Sequence, residues 1–360
     1  MKRLLAFCAL LFAAALFAAP TIQNALLPNA EIVFASDKAF SQSPFVKNVA
    51  QQIIKEVETA CEGNADLLQM IKEFQLNQDV ASEALFSASF SAALAKGKDD
   101  VDPSKIEFMY AIQADKSFKE DVQKRMDAET AKAESDTLVK KADFRDGWMA
   151  YELAPKKEPE FKVLLAVSPD GKQLFVAPAA VLKRQLDAPP ALAPYVAQYF
   201  NNDRTKGGAF TFALLVSEPL QKLMRENLDK DMEDNPDAAM ALQIGSSMRA
   251  LEYATVAKAD GLDLRLDATF SAPEMAGMLK PMIDGFLPQA AQMIPLVMGA
   301  ELPFAKTLKS YGKGNHVGIT AKLVQADVDA FVKFVKDQVA AKMAEDTDIV
   351  FDGDDEDDED

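Results

Sequence analysis

The chain has 360 residues, with 39 Lys or Arg against 56 Asp or Glu, a net charge of −17 and a 49% hydrophobic share. That share excludes wholesale disorder, and the length allows a sizeable core and suggests two domains. The acidity argues against nucleic acid or an anionic membrane as the main partner, and one His with two Cys excludes zinc-finger, iron–sulfur and multi-histidine metal chemistry, so no cofactor or metal is expected.

Lys2 and Arg3 precede an apolar run from Leu4 to Ala19. At 16 residues the run is shorter than the roughly 20 that a spanning helix needs, and it ends in small residues. This is the pattern of a secretory signal peptide over residues 1–18. Pro20 disfavours cleavage after Ala19, which leaves Ala18 as the cut, and the competing reading is an uncleaved anchor. Cys8 sits inside the apolar run after Phe7, the wrong place for a lipoprotein cysteine. The expectation is an exported protein, periplasmic or extracellular, with no transmembrane segment after signal removal. The mature chain keeps Cys61 alone, so no internal disulfide is available, and a small buried hydrophobe is the favoured role over an intermolecular bridge.

Downstream, Glu31–Ser36 reads as a buried strand that runs into a helix opening at Ser43-Pro44-Phe45, where Pro is tolerated because a first-turn N–H has no partner anyway. Phe45, Val49, Ile53 and Val57 keep helical spacing, and Ala65–Phe74 is a second helical stretch. Phe86, Ala88, Phe90 and Ala92, then Ile106, Phe108, Tyr110 and Ile112, alternate as a hairpin, followed by a predicted helix over Lys116–Lys140. Trp148–Leu153, Phe161–Val167 and Gln173–Ala177 read as three further strands, with Pro169-Asp170-Gly171-Lys172 as a hairpin turn, and Pro178–Leu186 as helix.

The Pro-rich stretch Ala188–Pro194 and polar Asn201–Gly208 mark a boundary, giving a first unit at 28–200 and a second at 208–344. The second begins with the strand Ala209–Val216, a helix opening at Glu218-Pro219-Leu220, and a helical stretch at Asp237–Met248. A hairpin then joins Arg249–Ala257 to Leu262–Phe270, with Asp263, Arg265, Asp267 and Thr269 on a wet face, and a helix follows over Pro273–Leu287. A strand at His316–Leu323 and a helix at Ala326–Met343 close the unit. Strand, helix, helix, hairpin, helix thus occurs twice, which reads as an internal repeat. The predicted fold is α+β: two related units, each a mainly antiparallel sheet with helices packed on one face. Whether the two sheets join is left open by the sequence.

Glu345–Asp360 holds eleven carboxylates and no basic residue, so the body between signal and tail carries only −8. The 345–360 segment reads as a disordered, solubilising acidic tail; Val350 and Phe351 break any EF-hand pattern, so calcium affinity would be weak. Ser43-Pro44-Phe45, Asp170-Gly171-Lys172 followed by Leu174-Phe175-Val176, and the duplicated hairpin–helix together resemble a loose group of uncharacterised exported bacterial α+β proteins. The resemblance implies architecture and export and carries no activity.

Catalytic signals are sparse. His316 is the only imidazole, and no Gly-x-Ser-x-Gly elbow or phosphate-binding glycine loop occurs; Gly312-Lys313-Gly314 reads as a turn. Asp263 and Asp267 flank Arg265, which would keep both ionised. By contrast, Met275, Met278, Met282, Met293 and Met298 lie among apolar residues broken by Pro281, Pro288, Pro295 and Pro303. Methionine surfaces adapt to varied apolar partners, so these five are the candidate ligand-binding residues, against the alternative of a kinked core helix pair. The expected function is non-catalytic binding or interaction in the cell envelope, with an envelope protein or apolar small molecule as partner. The alternatives are a carrier of a lipid or other apolar ligand in a Met-rich pocket, and a hydrolase using dispersed carboxylates or His316.

Overall fold

Side chains alternate across a strand, so the pairing register decides which residues share a face and which face needs a cover. The computed structural model describes residues 25–60, 81–94, 102, 105–132, 135–187, 190–200, 210–232, 238–299 and 301–347. Its strands, in chain order, are β1 (Ile32–Ser36), β2 (Ala81–Ser89), β3 (Glu107–Ala114), β4 (Thr137–Ala142), β5 (Met149–Pro155), β6 (Val163–Val167), β7 (Gln173–Pro178), β8 (Phe210–Leu215), β9 (Met248–Lys258), β10 (Gly261–Phe270), β11 (Lys309–Lys313) and β12 (His316–Leu323). The helices are α1 (Lys38–Ser41), α2 (Pro44–Ala60), α3 (Lys119–Ala131), α4 (Ala179–Asp187), α5 (Pro194–Phe200), α6 (Glu218–Met232), α7 (Ala238–Ser247), α8 (Pro273–Met298) and α9 (Gln325–Thr347).

The fold is α+β, built on one 12-stranded sheet in the order β11-β12-β10-β9-β8-β1-β2-β3-β7-β6-β5-β4. All neighbours pair antiparallel. The two halves join where Phe34 of β1 faces Phe212 of β8, so the sheet is continuous across them. From that junction β1-β2-β3 run outward one way and β8-β9-β10 the other.

One register row crosses most of the sheet on a single face: Leu266, Tyr253, Phe212, Phe34, Phe86, Tyr110, Val176, Leu165 and Tyr151. This aromatic face carries several covers. Phe40 of α1 and Val46 of α2 pack with Phe210, and Phe118 and Val122 of α3's N-terminal end pack with Leu165 and Val167. Val328 and Val332 of α9 meet Phe45 of α2, and Met275 and Ala276 of α8 pack on Phe270 and Val317.

The opposite face carries Val33, Met109, Ala213 and Leu215, which pack with Ala25–Leu27, with Val181 and Leu182 of α4 and with Val196 and Tyr199 of α5. Each fully buried Leu or Val there contributes about 1.5–3 kcal/mol of transfer free energy. Beyond β9 the cover stops, and the opposite face of β10 to β12 is polar and partly wet, as the alternation in Leu262–Phe270 predicts.

Several elements differ from the sequence reading. The predicted helix over Lys116–Lys140 ends at Ala131, and its last part is β4, because Thr137, Leu138 and Val139 suit a strand and pair with β5. β4 is an edge strand, and Lys140 and Lys141 protect it from pairing with another chain. Gly312 and Lys313 belong to β11, leaving Gly314, at φ 60°, to make the turn. The helix predicted to stop at Leu287 continues to Met298. Residues 1–18, Cys61, Ala65–Phe74, Asn201–Gly208 and the chain from 348 onward lie outside the described residues.

A buried carboxylate ties three segments together at the top of β1. Glu31 has no exposed surface; its Oε2 accepts from the Phe90 and Ser91 amides at 2.7 Å each, and its Oε1 accepts from the Ser217 hydroxyl. Ser217 also accepts from the Leu220 amide at 3.2 Å, so one network caps the 3₁₀ turn Ser91–Ala93 and the start of α6.

Candidate functional site

Helix α8 begins with Pro273 in its first turn and stops at Gly299, whose φ of 62° provides the left-handed exit. Pro281, Pro288 and Pro295 lie seven residues apart and so fall on one side of the helix. Each removes an amide and leaves the carbonyl four residues earlier without its helical partner, at a cost of about 3 kcal/mol in a helix interior. Pro281 and Pro288 are exposed, so water can reach the released carbonyls beside them. The sequence therefore does not favour α8 by itself. It is held by Met275, Ala276, Leu279 and Ile283, which pack on Phe270, Ala268 and Val317.

A polar clasp adds to this. Lys280 Nζ donates to both Asp284 oxygens at 2.8 and 2.6 Å, and the Ser310 hydroxyl of β11 donates to Asp284 Oδ1. The bond from Lys280 first, and that from Ser310 second, hold the Asp284 carboxyl below the usual carboxylate range. The clasp is thus complete above the ordinary carboxylate pKa and is lost as pH falls through this depressed value. Because the carboxylate is solvent-exposed, its loss is expected to leave the melting temperature nearly unchanged, which a pH series of thermal melts on Asp284→Asn checks.

The rest of α8 is unusual for a surface helix. Met278, Met282, Phe286, Met293, Leu296 and Val297 are exposed, from 36% for Met278 to 80% for Leu296. At 100° per residue, all six fall within an arc of about 100°, whose centre is turned roughly 60° from that of the stripe packing on the sheet. No charged residue occurs from Gly285 to Ala300. An apolar stripe of this kind, interrupted by Gln289, marks a contact surface more often than scattered single residues do.

Of the five candidate methionines, Met278, Met282 and Met293 lie on this stripe. Met275 is buried in the α8–sheet contact, and Met298 is half-buried. Instead of a kinked helix pair, the segment is one helix followed by the 3₁₀ turn Pro303–Thr307. Methionine content alone does not point to Phe286, Leu296 and Val297; their helical spacing from Met278 is the signal that does.

A second feature lies on the aromatic face. Phe34, Phe86, Phe212 and Tyr253 are half-buried, with ring centroids 5.8 Å apart for Phe34–Phe86 and 4.7 Å for Phe34–Phe212. Next in the row, the Tyr110 hydroxyl is buried with no hydrogen-bond partner among the described residues, and burial pushes its pKa up. A buried hydroxyl in that state costs about 1–3 kcal/mol, so Tyr110→Phe is expected to be neutral or stabilising by up to about 1 kcal/mol in urea unfolding.

The polar face of β9 to β12 holds the residues a hydrolase would need. Asp267 has a side chain with no exposed surface; Arg265 Nε lies 2.8 Å from its Oδ2, and the Tyr311 hydroxyl donates to its Oδ1. Asp263 instead faces solvent and lies 3.7 Å from Lys258 Nζ. Four residues apart on one strand, the two carboxyls are separated by about 13 Å along the chain, beyond the roughly 5–9.5 Å of glycosidase pairs. His316 Nδ1 lies 2.9 Å from Thr269 Oγ1. Among the described residues, no group of three His, Cys, Asp or Glu is placed to hold a metal ion.

No helix among the described residues is long and apolar enough to cross a membrane. The fold thus defines an α+β protein with one large antiparallel sheet. No family model and no curated protein matches the sequence. Among solved structures, crystal form III of the Treponema protein TP0453 is similar at 9% identity and a TM-score of 0.41, covering 87% of this chain and 97% of that one. Crystal forms IV and I of the same protein match at 10% and 11% identity, both with a TM-score of 0.40, covering 86% of this chain and 95% of theirs.

Proposed function

We propose that the protein is an exported, non-catalytic binding protein of the cell envelope, and that the apolar stripe of α8 is its contact surface. The single observation that carries this reading is the exposure of six large apolar side chains along one arc of one helix. Export rests on the pattern of residues 1–18, and the duplicated-unit reading is supported by the outward order of strands from the β1–β8 junction. Periplasmic and extracellular destinations are both compatible with it.

The test places a photo-reactive amino acid at Phe286, with exposed Lys333 of α9 as the control position. In exporting cells, the Phe286 position is expected to yield a discrete crosslinked adduct and the Lys333 position none. Equal adducts at both, or none at Phe286, overturn the assignment of the stripe. Intact mass of the exported fraction tests the leader, with cleavage after Ala18 as the expected result.

A second reading is a carrier of an apolar ligand, favoured by the half-buried aromatic row and the Tyr110 hydroxyl beside it. Pockets that hold such ligands are mainly apolar and aromatic with a few polar groups. Native mass spectrometry on detergent-free protein, followed by organic extraction, tests it: an extractable apolar mass supports the carrier, and a clean apo mass removes it.

A further inference from the structure

The stripe of α8 has a pattern that selects among possible occupants. Met278 and Val297, and Met282 and Met293, are placed symmetrically about a point between Leu287 and Pro288, while Phe286 falls opposite Gln289 and Leu296 opposite Leu279. A twofold axis through that point lays a second α8 antiparallel on the first, with Met278 opposite the partner's Val297, Met282 opposite the partner's Met293 and Phe286 near the axis. Four of the six stripe residues thus meet stripe residues of the partner, the reciprocal pairing that an isologous dimer contact requires.

The area is also adequate. Six large side chains exposed to this degree present on the order of 600 Å² per copy, so two stripes together bury about 1,200 Å², the lower end of stable interfaces. Electrostatics points the same way. The stretch from Gly285 to Ala300 carries no charge, and Lys280 and Asp284 are paired with each other, so no like charges meet at the contact. An interfacial membrane helix would carry Lys or Arg along its polar side, whereas α8 has only Lys280 there, with Glu274 and Asp284. A net charge of −17 opposes approach of a second copy at long range, but salt screens it within about 8 Å at physiological strength.

We propose that the occupant of the α8 stripe is a second copy of this chain, packed antiparallel about a twofold axis between Leu287 and Pro288. The proposal rests on the stripe being the contact surface. It makes the assembly a dimer that strengthens with added salt, because the contact is apolar and the opposing charge is screened.

Analytical ultracentrifugation of the mature full chain tests it. The wild type is expected to be dimeric at 10–100 µM (on the order of micromolar affinity for a small apolar interface), more so at 0.5 M than at 0.05 M salt. Phe286→Glu and Met282→Glu change side chains already in water, so circular dichroism and melting temperature stay as in the wild type while dimer affinity drops by about 100-fold or more. The register has its own readout. In a Cys61→Ser background, Phe286→Cys near the axis forms an intermolecular disulfide readily, whereas Met278→Cys, about 28 Å from its symmetry mate along the helices, does not.

A wild type that stays monomeric at 100 µM overturns self-association. Titration with an apolar dye then separates the two readings. If Phe286→Glu abolishes dye binding, the stripe still stands as a binding surface; if it changes nothing, that reading fails as well. Flotation of the wild type with neutral phosphatidylcholine vesicles, lost in Phe286→Glu, would replace the second copy with a lipid surface. A dimer in which Met278→Cys crosslinks as well as Phe286→Cys would overturn the antiparallel register.

Discussion

Glu31→Ala is expected to lower stability by about 3–5 kcal/mol, the largest effect of any single substitution considered for this fold. The carboxylate accepts from two backbone amides and a hydroxyl in a site with no exposed surface. Removing it leaves those three donors buried without an acceptor, at roughly 1–3 kcal/mol each, partly offset because the charge no longer has to be desolvated. Glu31→Gln preserves shape but offers one acceptor oxygen and a donor, so it should recover part of the loss. Urea unfolding followed by circular dichroism measures both. A loss below about 1 kcal/mol for the alanine variant would mean that water enters the site and the network is not what fastens α6 and the 3₁₀ turn to β1.

Gly318→Ala is the second. A β-carbon there would lie 2.5 Å from Asp267 Oδ1, 2.6 Å from the Leu266 carbonyl and 2.8 Å from the Tyr311 hydroxyl. The glycine makes the room in which Asp267 is buried and met by Tyr311. Overpacking of this sort costs about 1–3 kcal/mol, and the upper end is expected because one of the contacts is backbone in the middle of the β10–β12 pairing. Combining Gly318→Ala with Tyr311→Ala relieves the contact with the Tyr311 hydroxyl but not those with Asp267 Oδ1 and the Leu266 carbonyl. The double variant should therefore stay at least as destabilised as Gly318→Ala alone. Recovery to wild-type stability would show that the side chains, not the strand backbone, set the limit.

Much of this architecture was legible because periodicity is local. Leu262, Leu264, Leu266 and Ala268 alternate with Asp263, Arg265 and Asp267, and that strand has one polar face and one apolar face, packed under helix α8 at Ala268 and exposed at Leu266. His316–Leu323 was read at both ends as it occurs. The β4 strand was missed because Lys119–Lys140 is charged throughout and its first part is helical, so an edge strand with Lys140 and Lys141 outward looks like more of the same helix.

Asp263 and Asp267 carried the same signal in the sequence, yet one faces solvent and the other has no exposed side-chain surface. The difference arises from β12 and β11, whose Gly318 and Tyr311 close over Asp267 alone. Likewise, the methionines were visible as a cluster, but which of them faces water depends on how α8 is rotated on β10 and β12.

What the sequence by itself determined was the alternation of strands, the amphipathic helices, the acid excess gathered at the C-terminus and the α+β class, because each follows from spacing or composition within a short window. Only the tertiary structure decided that the two halves share one sheet through Phe34 and Phe212, that Glu31 is a buried fastening, and that α8 turns an uncharged stripe outward. These depend on contacts between residues far apart in the chain, where the register of one strand and the rotation of one helix are set by partners that no local window contains.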